Sequence, residues 1–170
     1  KNLTGIYFLL ADLVPKRFSL LREMLPSAKR VAVLVNPANT AEAEPAARNA
    51  VTASRALGLE IEVVNAGTGR EIDSVFTALE SRPPDALFVG ADPFFSGASK
   101  RIVALAARHA LPASYYFRDF VEAGGLMSYG PDIVDSQRQL GIYVGRILKG
   151  EKVSDLPVVQ PTKFELVINL

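Results

Sequence analysis

Cysteine is absent from this chain of 170 residues, and histidine occurs once, as His109. The first absence excludes disulfides, thiol catalysis and Cys-based zinc sites, and fits an oxidising compartment as well as a reducing one. With one His and no tight carboxylate cluster, a transition-metal site lacks its donors, and no cofactor is implied. No apolar run approaches the length of a membrane span, and none is built like a signal peptide. The chain opens at Lys1, not Met, so that absence says nothing of a longer polypeptide. Neither charge dominates: 19 basic and 18 acidic residues are well mixed, for a net charge of +1. Without a basic block or basic–aromatic interleaving, nucleic acid and anionic membrane surfaces are not expected partners. There is no GxGxxG after a strand, no GxxxxGK[ST] and no GxSxG elbow.

What is present is a pattern. Half the residues (49%) are hydrophobic, enough for one substantial core. The segment Val31-Ala32-Val33-Leu34-Val35 is unbroken and apolar, then stops at the polar loop Asn36-Pro37-Ala38-Asn39. Such a run reads as a strand buried on both faces of a parallel sheet. Residues 6–10 form a short apolar segment, and further strands are expected at 61–64, 86–90, 114–117, 126–129 and 164–168. Helices are expected between them. One is entered at Pro15 with Phe18, Leu21 and Leu25 on its stripe. A second starts near Glu44, because Pro45 resists a helix interior, and carries Ala46, Ala50, Ala53 and Leu57 before Gly58. A third opens on the capping-box spacing Thr68-x-x-Glu71 and carries Ile72, Val75, Phe76 and Leu79. A fourth runs through Ile102 to His109. The last is opened by Pro131 and places Ile133, Gln137, Leu140, Val144 and Ile147 on one face. Alternating strands and helices predict an α/β fold, a parallel sheet flanked by helices. The strands at 31–35, 61–64 and 86–90 are expected as parallel neighbours.

In such sheets ligands sit beyond the carboxyl ends of the strands. The residues there are Asn36, Asn39, Asp92, Tyr116 and Tyr129, with Asp132 at a helix start. Each has a purely structural account as well. Asn and Pro build turns, Asp caps helices, and strand tyrosines fill cores. Of Tyr115 and Tyr116, alternation sends one to the core and the other to a cleft. His109 reads as a residue at a helix C-terminus, not as a base. Together the strand-end groups read as the lining of a pocket for a small polar molecule, since no nucleophile–base pair accompanies them.

Three motifs in order, Val33-Leu34-Val35-Asn36-Pro37 with Asn39, Gly124-Gly125-Leu126-Met127-Ser128-Tyr129-Gly130, and Leu156-Pro157 through Asn169, resemble the substrate-binding family of ABC transporters. More narrowly they resemble its tryptophan/tyrosine-binder-like branch of type I periplasmic binding proteins. The resemblance implies one Rossmann-like lobe of a two-lobed binder, with a small solute in the cleft. An amino acid or aromatic solute is the implied ligand, and an ABC permease in the membrane the implied partner. It implies a periplasmic or extracytoplasmic location, with a lipid anchor in the full-length protein, and no enzymatic activity. By the same resemblance, residues 1–29 are the tail of a first lobe and a crossover helix. Residues 30–128 are the second lobe, and 129–170 a return helix with the hinge and terminal strand. Ligand contacts would fall on Asn36, Asn39, Asp92, Tyr116 and Tyr129, above all on Asn36 and Asp92. The apolar face of the last helix, left without the first lobe, predicts self-association. Two other classes stay open: an α/β enzyme using Asp92 and a ligand-sensing regulatory domain.

Overall fold

The computed structural model of the chain describes residues 2–170. It holds one six-stranded sheet. In chain order the strands are β1 (Arg30–Val35), β2 (Glu60–Asn65), β3 (Ala86–Val89), β4 (Ala113–Tyr115), β5 (Met127–Pro131) and β6 (Phe164–Ile168). The spatial order is β2-β1-β3-β4-β5-β6. The first five strands are parallel, with β1 between β2 and β3 as expected, and β6 closes the edge antiparallel to β5. The helices are α1 (Val14–Met24), α2 (Thr40–Ala56), α3 (Gly69–Leu79), α4 (Pro93–Gly97), α5 (Ser99–Arg108), α6 (Arg118–Glu122) and α7 (Ile133–Leu148).

Side-chain alternation along β1 splits the core into two layers. Val31, Val33 and Val35 face α1 and α2, where Phe18 stacks on Phe88 with ring centroids 4.5 Å apart. Ala32 and Leu34 face the other side and pack with Ile72, Phe76, Ile102 and Phe120 of α3, α5 and α6. Burial on both sides is why β1 from Val31 to Val35 and β3 from Ala86 to Val89 carry no polar residue. The small stripe Ala46, Ala50 and Ala53 lies buried in the layer shared with α1. The capping box on α3 is present in both directions: Glu71 N donates to Thr68 Oγ1, and Thr68 N to Glu71 Oε2.

Several elements depart from the pattern read in the sequence. The apolar segment 6–10 stays outside the sheet: Ile6 makes one isolated bridge to Val159, and Leu10–Leu13 form a 3-10 turn. An apolar run without a strand beside it has no ladder to join. Helix α2 starts at Thr40, four residues before the expected start, and encloses Pro45. Proline there has no N–H to donate and removes one bond near the helix start, where Ala41, four residues back, is exposed. Pro131 ends β5; it is Asp132 that caps α7, accepting from Asp135 N at 2.9 Å. The short helices α4 and α6 have too few turns to show a period.

Candidate functional site

Strands β1 and β3 are neighbours, but their crossovers leave on opposite faces, β1 into α2 and β3 into α4 and α5. The strand order reverses at this pair, which opens a crevice at the carboxyl ends. The loops flanking it carry Asn36, Asn39 and Asp92. Asn36 Nδ2 donates to Asp92 Oδ1 at 3.0 Å, and Asn39 Nδ2 donates to Asp92 Oδ2 at 2.8 Å. Asp92 Oδ1 also accepts from Phe94 N at 2.8 Å, capping α4, and Asn36 Oδ1 accepts from Ala38 N. The carboxylate thus ties the β1 loop to the β3 loop while it starts a helix.

Tyr116 follows β4 and reaches the same point. Its hydroxyl donates to Asp92 O at 2.7 Å and lies 2.9 Å from Ser96 Oγ. Burial pushes its phenol up to about 12, so it stays a neutral donor. Gly130 makes room for this segment: a Cβ there would sit 1.8 Å from the Tyr116 carbonyl oxygen. Tyr115, one residue earlier, is buried against Phe120 in the core, at 4.7 Å between centroids.

Four of the five candidates, Asn36, Asn39, Asp92 and Tyr116, therefore meet in one network. Tyr129 does not join them. It packs with the opposite core layer and stacks on Phe164 at 6.3 Å. His109 caps the end of α5, pairs with Glu80 at 3.5 Å and packs on Phe76.

Arg17 is a residue that sequence reasoning passed over. It is 1% exposed, and its Nη2 donates to Val89 O at 2.9 Å and Ser114 O at 2.6 Å. Its guanidinium lies 4.0 Å from the centre of the Phe88 ring. Burial lowers its pKa to about 9, which leaves it charged at neutral pH. The β3–β4 ladder pairs only as far as Phe88 and Ser114. Arg17 holds the two strand ends together just beyond that point. The signal was available, since Arg17 lies on the helix stripe of Val14, Phe18 and Leu21.

Two joined hollows open beside the network, sharing Phe8, Leu10, Asp92 and Pro93. One, of about 470 Å³, lies between Phe8, Tyr116, Phe117 and the start of α7. The other, of about 300 Å³, is lined by Tyr7, Asn39 and Glu42. Their size suits a small organic molecule, for which pockets run roughly 300–1,000 Å³. Two further hollows open at the amino ends of β3 and β4. There Asp85 is spent on the Lys29 and Arg30 amides, at 2.7 and 2.8 Å. Among the described residues no group of three or more His, Asp or Glu is placed to hold a metal ion.

The family model described as ABC transporter substrate binding protein matches residues 1–170. No curated protein matches the chain. Among solved structures, a conserved domain protein from Vibrio cholerae superposes with a TM-score of 0.86 at 25% identity, over 99% of this chain and 56% of its own. An ABC domain in complex with L-Trp from Streptococcus pneumoniae gives 0.79 at 24% identity, over 98% of this chain and 56% of its own. A periplasmic solute-binding protein from Actinobacillus succinogenes with bound D-allose gives 0.71 at 15% identity, over 98% and 61%. This chain spans little more than half the length of these structures, and the likenesses below 25% identity bear on the fold alone.

Proposed function

Because the chain belongs to the ABC transporter substrate-binding protein family, we propose that it forms one side of a solute-binding cleft and serves an ABC importer. The observation that carries this reading is the Asn36–Asp92–Asn39 network at the point where the strand order reverses, with open space beside it. Asn36, Asn39, Asp92 and Tyr116 shape the rim. The residues with room to touch a solute are Asp92, Asn39 and Tyr116, backed by Phe8 and Phe117. Tyr129 lines neither hollow.

An amino acid or aromatic solute suits a hollow with aromatic walls, and the L-Trp complex of the Streptococcus pneumoniae protein agrees with that choice. In this reading residues 30–128 are the second lobe. Residues 1–29 and 129–170 carry the crossover helix, the return helix and the hinge, where Tyr7 N bonds Val159 O and Val159 N bonds Gly5 O. The solute is released to a membrane permease without turnover, from a periplasmic or extracytoplasmic protein with a lipid anchor in its full-length form. Among the described residues no helix is long and apolar enough to cross a membrane.

A thermal-shift screen of the full-length protein with amino acids, aromatic acids and sugars tests the reading, because a ligand that binds only the folded state raises the melting temperature. Saturable, reversible stabilisation without conversion of the compound is expected. Turnover of the compound would favour an enzyme, and no response to any class would remove the binding role.

A further inference from the structure

We propose that the hollow between the second half of α5 and the Gly124–Gly125 turn is a second binding site, separate from the cleft. It takes an uncharged single-ring compound whose hydrogen-bond acceptor is engaged by the Tyr115 hydroxyl.

The hollow measures about 280 Å³ and opens at the amino ends of β3 and β4. It shares no lining residue with the two hollows beside Asp92. Small residues make the room: Ala106, Ala107, Ala110 and Ala113 line it together with Gly124 and Gly125. Gly125 has no space for a side chain, since a Cβ there would sit 2.5 Å from Tyr115 Cε2 and 2.7 Å from Phe120 O. The edge of the Tyr115 ring therefore runs along the turn that forms one wall of the hollow.

The hydroxyl on that ring is the observation that points to a ligand. Tyr115 is 0% exposed, and its Oη has no hydrogen-bond partner among the described residues. Tyr116, by contrast, uses its hydroxyl on Asp92 O and Ser96. The core has no need of a hydroxyl at 115, because the ring stacks on Phe120 and a Phe would stack as well. A buried hydroxyl without a partner is unfavourable, and a bound acceptor relieves it. Burial also pushes the Tyr115 phenol well above its usual range, so it is a neutral donor at any physiological pH.

The walls set the ligand class. No Asp, Glu, Lys, Arg or His lines the hollow, in a chain of which 22% is charged. An ion entering it would lose water and meet no counter-charge. Besides Tyr115, the one polar side chain of the lining is Asn169, which is exposed. Val103, Leu111 and Leu126 supply apolar surface for the body of the ligand. An apolar cavity of about 150 Å³ admits benzene, so this hollow has space for one substituted ring.

The test is NMR titration of the full-length protein with isotope-labelled alanine methyls, because the methyls that line the hollow report its occupancy directly. The probes are acetophenone, which carries a carbonyl acceptor, ethylbenzene, which carries none, and benzoate, which is charged. Acetophenone is expected to shift the signals of Ala106, Ala107, Ala110 and Ala113 saturably, and benzoate to leave them in place. Tyr115→Phe should weaken acetophenone about fivefold, the size of one neutral hydrogen bond, and leave ethylbenzene unchanged. The melting temperature of the free Tyr115→Phe protein should stay the same or rise. Ala107→Leu, at an exposed position of α5, should abolish the shifts at the other three alanines. Methyl signals that stay in place with acetophenone, benzoate binding as tightly as acetophenone, or an acetophenone affinity untouched by Tyr115→Phe would overturn the proposal. A lower melting temperature in Tyr115→Phe would do so too, since it would show that the hydroxyl is already bonded within the fold.

Discussion

At the scale of single residues, Asp92 has several roles at once. It holds Asn36 and Asn39, caps α4, and offers a remaining lone pair to the hollow. Stability and binding are therefore entangled there, and single Ala substitutions cannot separate them. A double-mutant cycle can. Asn36→Ala and Asp92→Ala should each lower stability by about 1–2 kcal/mol. The pair should show a coupling of at least about 0.5 kcal/mol, because both lose the same bond. Additive effects in urea denaturation would mean the bond contributes nothing. A second residue tests backbone strain. Ala110 sits at φ 49° after α5, in the left-handed region where helix ends prefer glycine. Ala110→Gly should raise stability by about 0.5–1 kcal/mol, read as a higher denaturation midpoint. The strand-end positions of Asn36, Asn39 and Asp92 were legible, since each follows a buried run. Their bonds to one another were not, because these bonds join loops 53 and 56 residues apart in the chain.

At the scale of elements, the start of α7 is latched to the strand that closes the sheet. Asp135 is largely covered. Lys163 Nζ donates to its Oδ1 at 2.8 Å, and Gln139 and Arg138 add further bonds at 2.7 and 3.0 Å. Those donors, Lys163 first, hold its carboxyl well below the usual 3.8. A depressed carboxyl stabilises the fold above its unfolded pKa and loses that contribution as pH falls. The gap in urea midpoint between the wild type and Asp135→Asn should be full at pH 6 and shrink from about pH 4 downward. A gap that stays constant to pH 2 would mean the latch carries no charge-dependent stability. Helices α2, α3, α5 and α7 were legible from their apolar period, and the cap of α3 from its spacing. The start of α2 was not, because a proline near a helix start costs little where its lost partner faces water. Residues 6–10 are apolar without pairing in the sheet, and Phe8 and Leu10 line the hollows beside it.

At the scale of the molecule, the run of buried strands fixed the architecture in advance: β2, β1 and β3 are parallel neighbours with helices on both faces. The antiparallel β6 was hidden, since a strand reached by a long return shows no direction in its residues. Helix α7 leaves Leu140, Val144 and Leu148 exposed, at 39%, 55% and 81%. Apolar surface of that kind favours association. Light scattering on this 170-residue chain at high micromolar concentration should therefore show species larger than a monomer, and Val144→Ser with Leu148→Ser should shift them toward the monomer. A strictly monomeric chain would count against an interaction role for this face. The central claim is that a small solute binds where Asn39, Asp92 and Tyr116 meet. The most direct measurement is a crystal structure of the full-length protein with a solute that stabilises it. The account predicts the solute within hydrogen-bonding distance of Asp92 and against Phe8, Tyr116 or Phe117. A solute seated instead at the amino ends of β3 and β4, beside Tyr115 or His109, would contradict it.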